Sequence, residues 1–425
     1  MTGKRTVDTL FWTFWAVVAL SIVSQSAITL LFTRVLATWR RVPLPDDQCP
    51  SATIVLCLRG GDPFLSECLT AVLNLDYPDY ELLVIVDHPD DPAWLQVEQA
   101  VAEQGATNVR IQALKEPLTT CSLKCSSLLQ AVDQLDESRK ILAQLDADTI
   151  AHPSWLRELA AALADPCVGA ATGNRWYMPE RVSAATLVRY LWNAAAVVQM
   201  YSYRIAWGGA MAIKTSVLRE ASLPDRWSRA FCEDTMLMGV LRPLGLQVAF
   251  VPSLLMVNRE TCDMYGFYRW CSRQLLTARL YHPYWGLVAF HGVYTTVLNV
   301  AATAWLAVAL WGEQYSLAGG IAAGLAAYQL MNMTMLALLE ASARRIAKDR
   351  GESVDWLGWR GALHTLWAIP LTQLIYAASL FSACFTRHVE WRGVTYHIGG
   401  PWQIKLLKYE PLQGESQSDA RQNSL

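Results

Sequence analysis

Five carboxylates in this 425-residue chain stand where they could do chemistry: Asp87, Asp146, Asp148, Glu233 and Asp234. Asp146 and Asp148 close the run ILAQLDADT, with only Ala147 between them. Alone, such a pair is most simply a polar turn after a buried strand, because aspartate is a common turn former. Two carboxylates at that spacing can also hold a divalent cation such as Mg2+ or Mn2+, which then binds diphosphate oxygens. Glu233 and Asp234 open the stretch FCEDTMLMGVLRPLG, ahead of Met236, Val240 and Leu244 at helical spacing. Acids there complement a helix dipole. An acid at the rim of a substrate site can instead accept a proton from a hydroxyl.

The elements that must position these groups alternate in the βα manner. Apolar or β-branched runs fall at 52–58, 80–87, 108–114, 140–146 and 168–173. Helical patterns lie between them at Phe64 to Leu73, Pro92 to Gln104, Lys124 to Gln134 and Pro153 to Ala164. Such alternation implies an α/β domain with a mainly parallel sheet and helices on both faces. Ligands of these sheets bind beyond the carboxyl ends of the strands, where Asp87 and Asp146 fall. Neither G-x-G-x-x-G nor G-x-x-x-x-G-K-S/T occurs, so the usual glycine-loop phosphate cradles are absent.

The chain as a whole is greasy: 53% of its residues are hydrophobic and 17% charged. Asp, Glu, Lys and Arg are missing between Asp8 and Arg34, Arg279 and Glu313, Glu313 and Glu340, and Arg360 and Arg387. Each gap exceeds the roughly 20 apolar residues that cross a bilayer as a helix. The expected organisation is an anchor helix at 9–36, a catalytic-type domain at 42–283, three transmembrane helices at 284–386 and a tail at 387–425. Arg34, Arg40 and Arg41 follow the first gap, and Arg344, Arg345, Lys348 and Arg350 lie between the third and fourth. The positive-inside rule puts both regions in the cytoplasm. Four spans would then leave both termini outside. The tail's Arg387, Arg392, Lys405 and Lys408 argue the other way, for a last segment, interrupted by Pro370, that dips into the bilayer without crossing. The stretches 184–209 and 267–283 read as membrane-surface helices, the first equally well as an ordinary packed helix. A net charge of −2 suggests no nucleic-acid partner. The ten cysteines show no paired metal-binding spacing and read as free thiols.

At this point the residues resemble a family. LDYPDYELLVIVDHPDDPA (75–93), LDADT, WGGAMAI (207–213) and CEDT, in that order, resemble the membrane-bound family 2 glycosyltransferases. The closest likeness is to ceramide glucosyltransferases and their bacterial relatives, and it runs from the first span to WRGVTYHIGG (391–400). The resemblance implies a GT-A, Rossmann-like fold and a UDP-sugar donor. By it Asp87 binds the nucleotide, Lys124 lies near the donor, and Asp146 and Asp148 hold the cation and diphosphate. Trp207 and Gly209 then belong to the loop over the donor sugar, and Asp234, with Glu233 beside it, supplies the catalytic base.

One motif departs from the family. In place of Q/R-x-x-R-W the chain reads Trp270-x-x-Arg273-Gln274. Arg273 can still face the diphosphate, with Trp270 and Gln274 on the acceptor side. The implied activity is inverting transfer of one hexose, glucose above all, to a hydroxylated membrane lipid such as ceramide or diacylglycerol. A polyprenyl-phosphate transferase or polysaccharide synthase is the alternative. A non-catalytic membrane scaffold with a degenerate domain is a reading of a different class, opposed by the intact acidic motifs.

Overall fold

The computed structural model describes residues 2–41, 44–179, 181–352 and 358–412. A long helix, α1 (Thr2–Thr38), leads to a sheet of β1 (Ala52–Leu58), β2 (Tyr80–Val86), β3 (Val109–Ala113), β4 (Ile141–Leu145), β5 (Val168–Tyr177), β6 (Ala210–Lys214) and β7 (Gln247–Asn258). Its order is β3-β2-β1-β4-β6-β5-β7. All neighbours are parallel except β6, which runs antiparallel to β4 and β5. The central strands are buried on both faces, as parallel strands under helices must be. The helices α2 (Leu65–Leu73), α3 (Pro92–Gln104), α4 (Leu123–Asp133) and α5 (Trp155–Leu163) follow β1 to β4 in turn. The fold is GT-A, as expected.

Local chemistry sets where these helices begin. Pro92 opens α3 behind Asp91, whose carboxylate accepts from Ala93 N at 2.9 Å. Ser122 Oγ accepts from Cys125 N at 3.2 Å and so starts α4. That cap fixes Lys124 in the first turn, above the end of β4.

Two stretches differ from their sequence reading. In WGGAMAI only Trp207 to Gly209 form a loop, and the remainder is β6 in the middle of the sheet. The acids Glu233 and Asp234 precede a short helix, α9 (Leu237–Leu241), not a long one. Its buried face is Leu237 and Leu241, while Leu244 is exposed, because Pro243 tightens the chain into a 3-10 turn that Gly245 ends at φ 71°.

Between β5 and β6 runs α6 (Ala184–Tyr203), begun by a reciprocal capping pair of Ser183 and Thr186. It is a packed helix: Arg189 is fully buried, 3.0 Å from Glu260 and with its guanidinium 4.0 Å from the Tyr177 ring. Beyond β6 come α7 (Thr215–Glu220) and α8 (Leu223–Trp227). After β7 come α10 (Met264–Tyr281), α11 (Trp285–Trp311), α12 (Tyr315–Asp349) and α13 (Gly358–Phe385). A second, antiparallel sheet ends the described chain, with β8 (His388–Trp391), β9 (Val394–Gly400) and β10 (Gln403–Lys408) in the order β10-β9-β8. The 267–283 stretch is mostly α10, and it turns Phe267, Trp270, Leu275 and Leu276 inward.

Among the described residues, four helices are long and apolar enough to cross a membrane: 5–38 of α1, α11, α12 and 361–385 of α13. Their outward faces carry Trp12, Val308 and Phe381 in the open, as lipid-facing surfaces do. Inside, Gly320 and Gly324 of α12 leave room for the rings of Phe11 and Phe14, the small-residue packing that lets apolar helices approach.

The tail does not lie on the far side from the domain, as the four-span expectation required. Val394, Tyr396, Ile398 and Ile404 share one hydrophobic core with Leu83 and Ile85 of β2. Leu406 N donates to Thr119 O at 2.8 Å, and Leu123 N donates to the Tyr396 hydroxyl at 3.2 Å. Burying those aliphatic and aromatic faces holds the second sheet against the first.

Candidate active site

All the residues expected at the site, from Asp87 to Gln274, line one continuous cavity of about 490 Å³. It opens at the carboxyl ends of β1, β2 and β4, where a doubly wound sheet receives its ligand. Its centre is a lattice of alternating charge. Lys124 Nζ lies 2.7 Å from Asp146 Oδ1 and 2.8 Å from Glu233 Oε1. Arg175 Nη2, from β5, reaches Asp146 Oδ2 at 3.5 Å and Asp148 Oδ2 at 3.1 Å.

Burial sets how these groups are charged. Burial alone would depress the Lys124 ammonium, yet Asp146 and Glu233 hold it well above its ordinary range. Burial likewise works against the Asp146 carboxylate, and Lys124 and Arg175 overcome it, so Asp146 stays ionised below the usual range. Asp148 is pushed up to about 6 by burial, opposed by Arg175 and reinforced by Asp146. Glu233 rises to about 7 by burial, against the pull of Lys124.

Asp234 is placed differently. Its Oδ2 accepts from Gly208 N at 2.8 Å, and its Oδ1 accepts from Thr235 N at 2.5 Å and Thr235 Oγ1 at 2.8 Å. Three donors hold this carboxylate at the cavity wall, while Glu233 beside it is 2% exposed and turned toward Lys124. The loop that carries Gly208 has no room for side chains. A Cβ on Gly208 would lie 2.0 Å from Glu233 Oε1, and one on Gly209 2.5 Å from Asp146 Oδ2. Trp207 lies across this loop with the Arg175 guanidinium 4.9 Å from its ring.

At the same end of the sheet, just past β2, Asp87 is 5% exposed and accepts from Arg59, from the Tyr409 hydroxyl at 2.9 Å and from Leu412 N at 3.2 Å. On α10, Trp270 and Arg273 lie one turn apart and both face the cavity. Burial, with Arg392 and Arg175 nearby, lowers Arg273 to about 10. A buried guanidinium disfavoured by its cationic neighbours is prepared for an anion.

Several of these residues escaped the sequence reading. Arg59 directly follows β1 and was open to discovery by the strand-end rule that found Asp87. Arg175 is a lone charge in an otherwise uncharged strand, and Trp391 and Arg392 come from the tail. No group of three His, Cys, Asp or Glu side chains that could hold a metal occurs among the described residues. Asp146 and Asp148 alone still suit Mg2+ or Mn2+, which commonly bind through one or two carboxylates and take further oxygens from substrate phosphates and water.

A GT-A sheet with paired aspartates at its strand ends and a Glu-Asp pair facing them defines a glycosyltransferase. The chain belongs to glycosyltransferase family 21, whose model matches residues 14–402. The resemblance read from the motifs holds at the level of a glycosyltransferase family. An uncharacterised glycosyltransferase of Haemophilus influenzae is 25% identical over 122 residues, 28% of this chain. The chain spans about a third of that relative's length, 34%. A mannosyltransferase from Pyrobaculum calidifontis, solved with GDP-Man and Mn2+, is similar in structure over 87% of this chain and 97% of its own, at 17% identity and a TM-score of 0.47. Glucosyl-3-phosphoglycerate synthase from Mycobacterium tuberculosis, solved with Mn2+, UDP and glucosyl-3-phosphoglycerate, matches 54% of this chain and 85% of its own, at 15% identity and a TM-score of 0.34.

Proposed function

We propose that this protein moves one hexose, glucose first among the candidates, from a UDP-sugar to the hydroxyl of a membrane lipid with inversion at the anomeric carbon. One observation carries the lipid acceptor. The cavity runs on from Asp234 into the space between the apolar helices, where Thr295, Tyr328, Asn332 and Gln373 line it. A water-soluble acceptor needs no such extension, whereas a lipid held there presents its headgroup hydroxyl to the base without leaving the bilayer.

The UDP-sugar lies at the strand ends, its nucleotide toward Asp87 and its diphosphate toward Asp146, Arg175 and Arg273. A divalent cation held by Asp146 and Asp148 supplies further positive charge for the diphosphate. Asp234 takes the proton from the lipid hydroxyl as that oxygen bonds to the anomeric carbon, and the bond from that carbon to the diphosphate oxygen breaks on the opposite face. A neutral hydroxyl is a poor nucleophile at pH 7, so a positioned base is needed. UDP departs with the bonding electrons, and Arg175 and Arg273 stabilise the charge as it develops. Lys124 keeps Asp146 and Glu233 in place. Ceramide or diacylglycerol meets the demand for a free hydroxyl on a bilayer lipid. A polyprenyl phosphate offers phosphate oxygens instead, for which a base is superfluous.

Protein reconstituted with UDP-glucose and either lipid should yield a β-linked monohexosyl lipid, identified by mass and by its anomeric proton coupling. An α-linked product, or a ladder of longer glycans, would overturn this reading.

The same reading places the domain on the cytoplasmic face, beside the basic residues that end α1 and α12. Arg350 donates to Ser253 O at 2.6 Å and to Leu255 O at 2.8 Å, which ties the end of α12 to β7. The chain enters α13 only eight residues later and leaves it directly into β8. Eight extended residues reach about 28 Å at most, less than the ~30 Å of a bilayer core. On these grounds the segment that carries α13 dips into the bilayer without crossing it, and the tail stays on the cytoplasmic side. With the exposed Cys167 and Cys384 replaced by serine, Lys405→Cys should resist a membrane-impermeant maleimide in intact cells and react once they are opened. Labelling of intact cells would put the tail outside.

A further inference from the structure

Gln274 stands after Arg273 where the resembled motif has tryptophan, yet a tryptophan does lie against this arginine. It comes from the tail. The ring of Trp391 sits with its centroid 4.8 Å from Arg273 Cζ, in cation–π contact, and Phe231 packs against it at 6.0 Å between centroids.

How the tail delivers this ring is visible in its backbone. Trp391 pairs with Val394 across a two-residue turn in which Arg392 has φ 48° and Gly393 φ 73°. Two left-handed residues make the hairpin turn that suits the twist of the flanking strands. Glycine adopts that backbone freely, whereas an arginine there is strained. The side chain accounts for its presence. Arg392 Nη1 donates to Arg59 O at 2.9 Å and Nη2 to Asp62 Oδ2 at 3.1 Å, and Arg59 Nε returns a bond to Arg392 O at 2.9 Å. The hairpin tip is thus latched onto the loop that follows β1, at the end of the sheet where the donor lies. Trp391 and Arg392 both line the cavity.

We propose that this hairpin is a working part of the donor site, with Trp391 as a positioning residue that keeps the Arg273 guanidinium facing the diphosphate. The inference rests on reading the cavity as a nucleotide-sugar site. A long arginine side chain near two like charges, Arg175 and Arg392, turns away from them unless something neutral and attractive holds it. An aromatic face does so without cancelling the charge that the leaving group needs. The latch through Arg392 keeps the ring at the correct depth.

The test compares UDP with UMP, which lacks the second phosphate, by calorimetry. Trp391→Ala should weaken UDP binding about tenfold, a loss of ~1.4 kcal/mol, and leave UMP affinity unchanged. Trp391→Phe, which restores an aromatic face, should recover UDP affinity. Arg273→Ala should show the same selective loss, and the double variant should lose no more than Arg273→Ala alone. In turnover, Trp391→Ala should lower kcat more than it raises KM for the donor. Equal losses for UDP and UMP, or losses in the two variants that multiply, would reduce the hairpin to a structural prop and overturn the inference. Should the wild-type protein transfer no sugar, the functional reading fails while the UDP and UMP titrations still decide the role of Trp391. A wild-type protein that binds neither nucleotide overturns both.

Discussion

Asp234→Asn is expected to abolish turnover while leaving a folded, nucleotide-binding protein. The substitution keeps the shape but removes the proton acceptor, and a general base contributes at least about 100-fold. Asparagine can still accept from Thr235, but its amide then opposes the Gly208 N–H that now donates to Oδ2 at 2.8 Å. That lost bond costs about 1–2 kcal/mol, so a modest fall in melting temperature should accompany the loss of activity. Single-turnover measurements at saturating donor, alongside UDP titration, separate the two effects. Glu233→Gln is the informative partner, because Glu233 is 2% exposed and turned toward Lys124. Full activity in Asp234→Asn with none in Glu233→Gln would move the base to the neighbouring residue.

Asp146→Ala should act on the donor instead. Among the described residues, Asp146 is the one carboxylate that touches both Lys124 and Arg175. Its removal leaves Lys124 paired with Glu233 alone and Arg175 with Asp148, so the fold survives while the diphosphate end of the site loses its organiser. UDP affinity in Mn2+ should fall about 100-fold, ~3 kcal/mol, in line with breaking one member of a buried ionic set. Calorimetry with Mn2+ and with chelator should give different UDP affinities for the wild type and matching ones for the variant. A variant that still responds to Mn2+ as the wild type does would remove Asp146 from the cation site.

The acidic half of this site was open to reading because strand-end carboxylates announce themselves. An apolar run must be buried, and an aspartate that ends it must face whatever lies beyond the sheet. The cationic half carried no such signature. Arg175 belongs to a strand whose neighbours, Trp176 and Tyr177, are buried, and only the three-dimensional meeting of β5 with the end of β4 gives its charge a purpose. The long strand β7 is interrupted in sequence by Pro252, which argues against a central strand. The proline is tolerated because β7 is the edge of the sheet. The tail was the least legible. Hydropathy places a segment in the membrane by counting apolar residues, and that count is the same for a helix that crosses and for one that returns. What distinguishes them is the packing of Tyr396 and Ile398 on the first sheet, a contact with no local signal in WRGVTYHIGG.

The bond between Arg59 and Arg392 spans 333 positions, and three apolar helices are threaded between its ends. At about 5–20 residues per second, a ribosome that has released Asp62 needs roughly 15–70 s more before Arg392 exists. Throughout that interval the loop after β1 lacks the guanidinium that finally neutralises Asp62, so it must remain hydrated and open. Chains that stop early, or whose last helices fail to insert, therefore end with a slack nucleotide pocket rather than a partly working one. On the proposed function, competence to hold the donor arrives only at the end of biogenesis, once the apolar helices are in place.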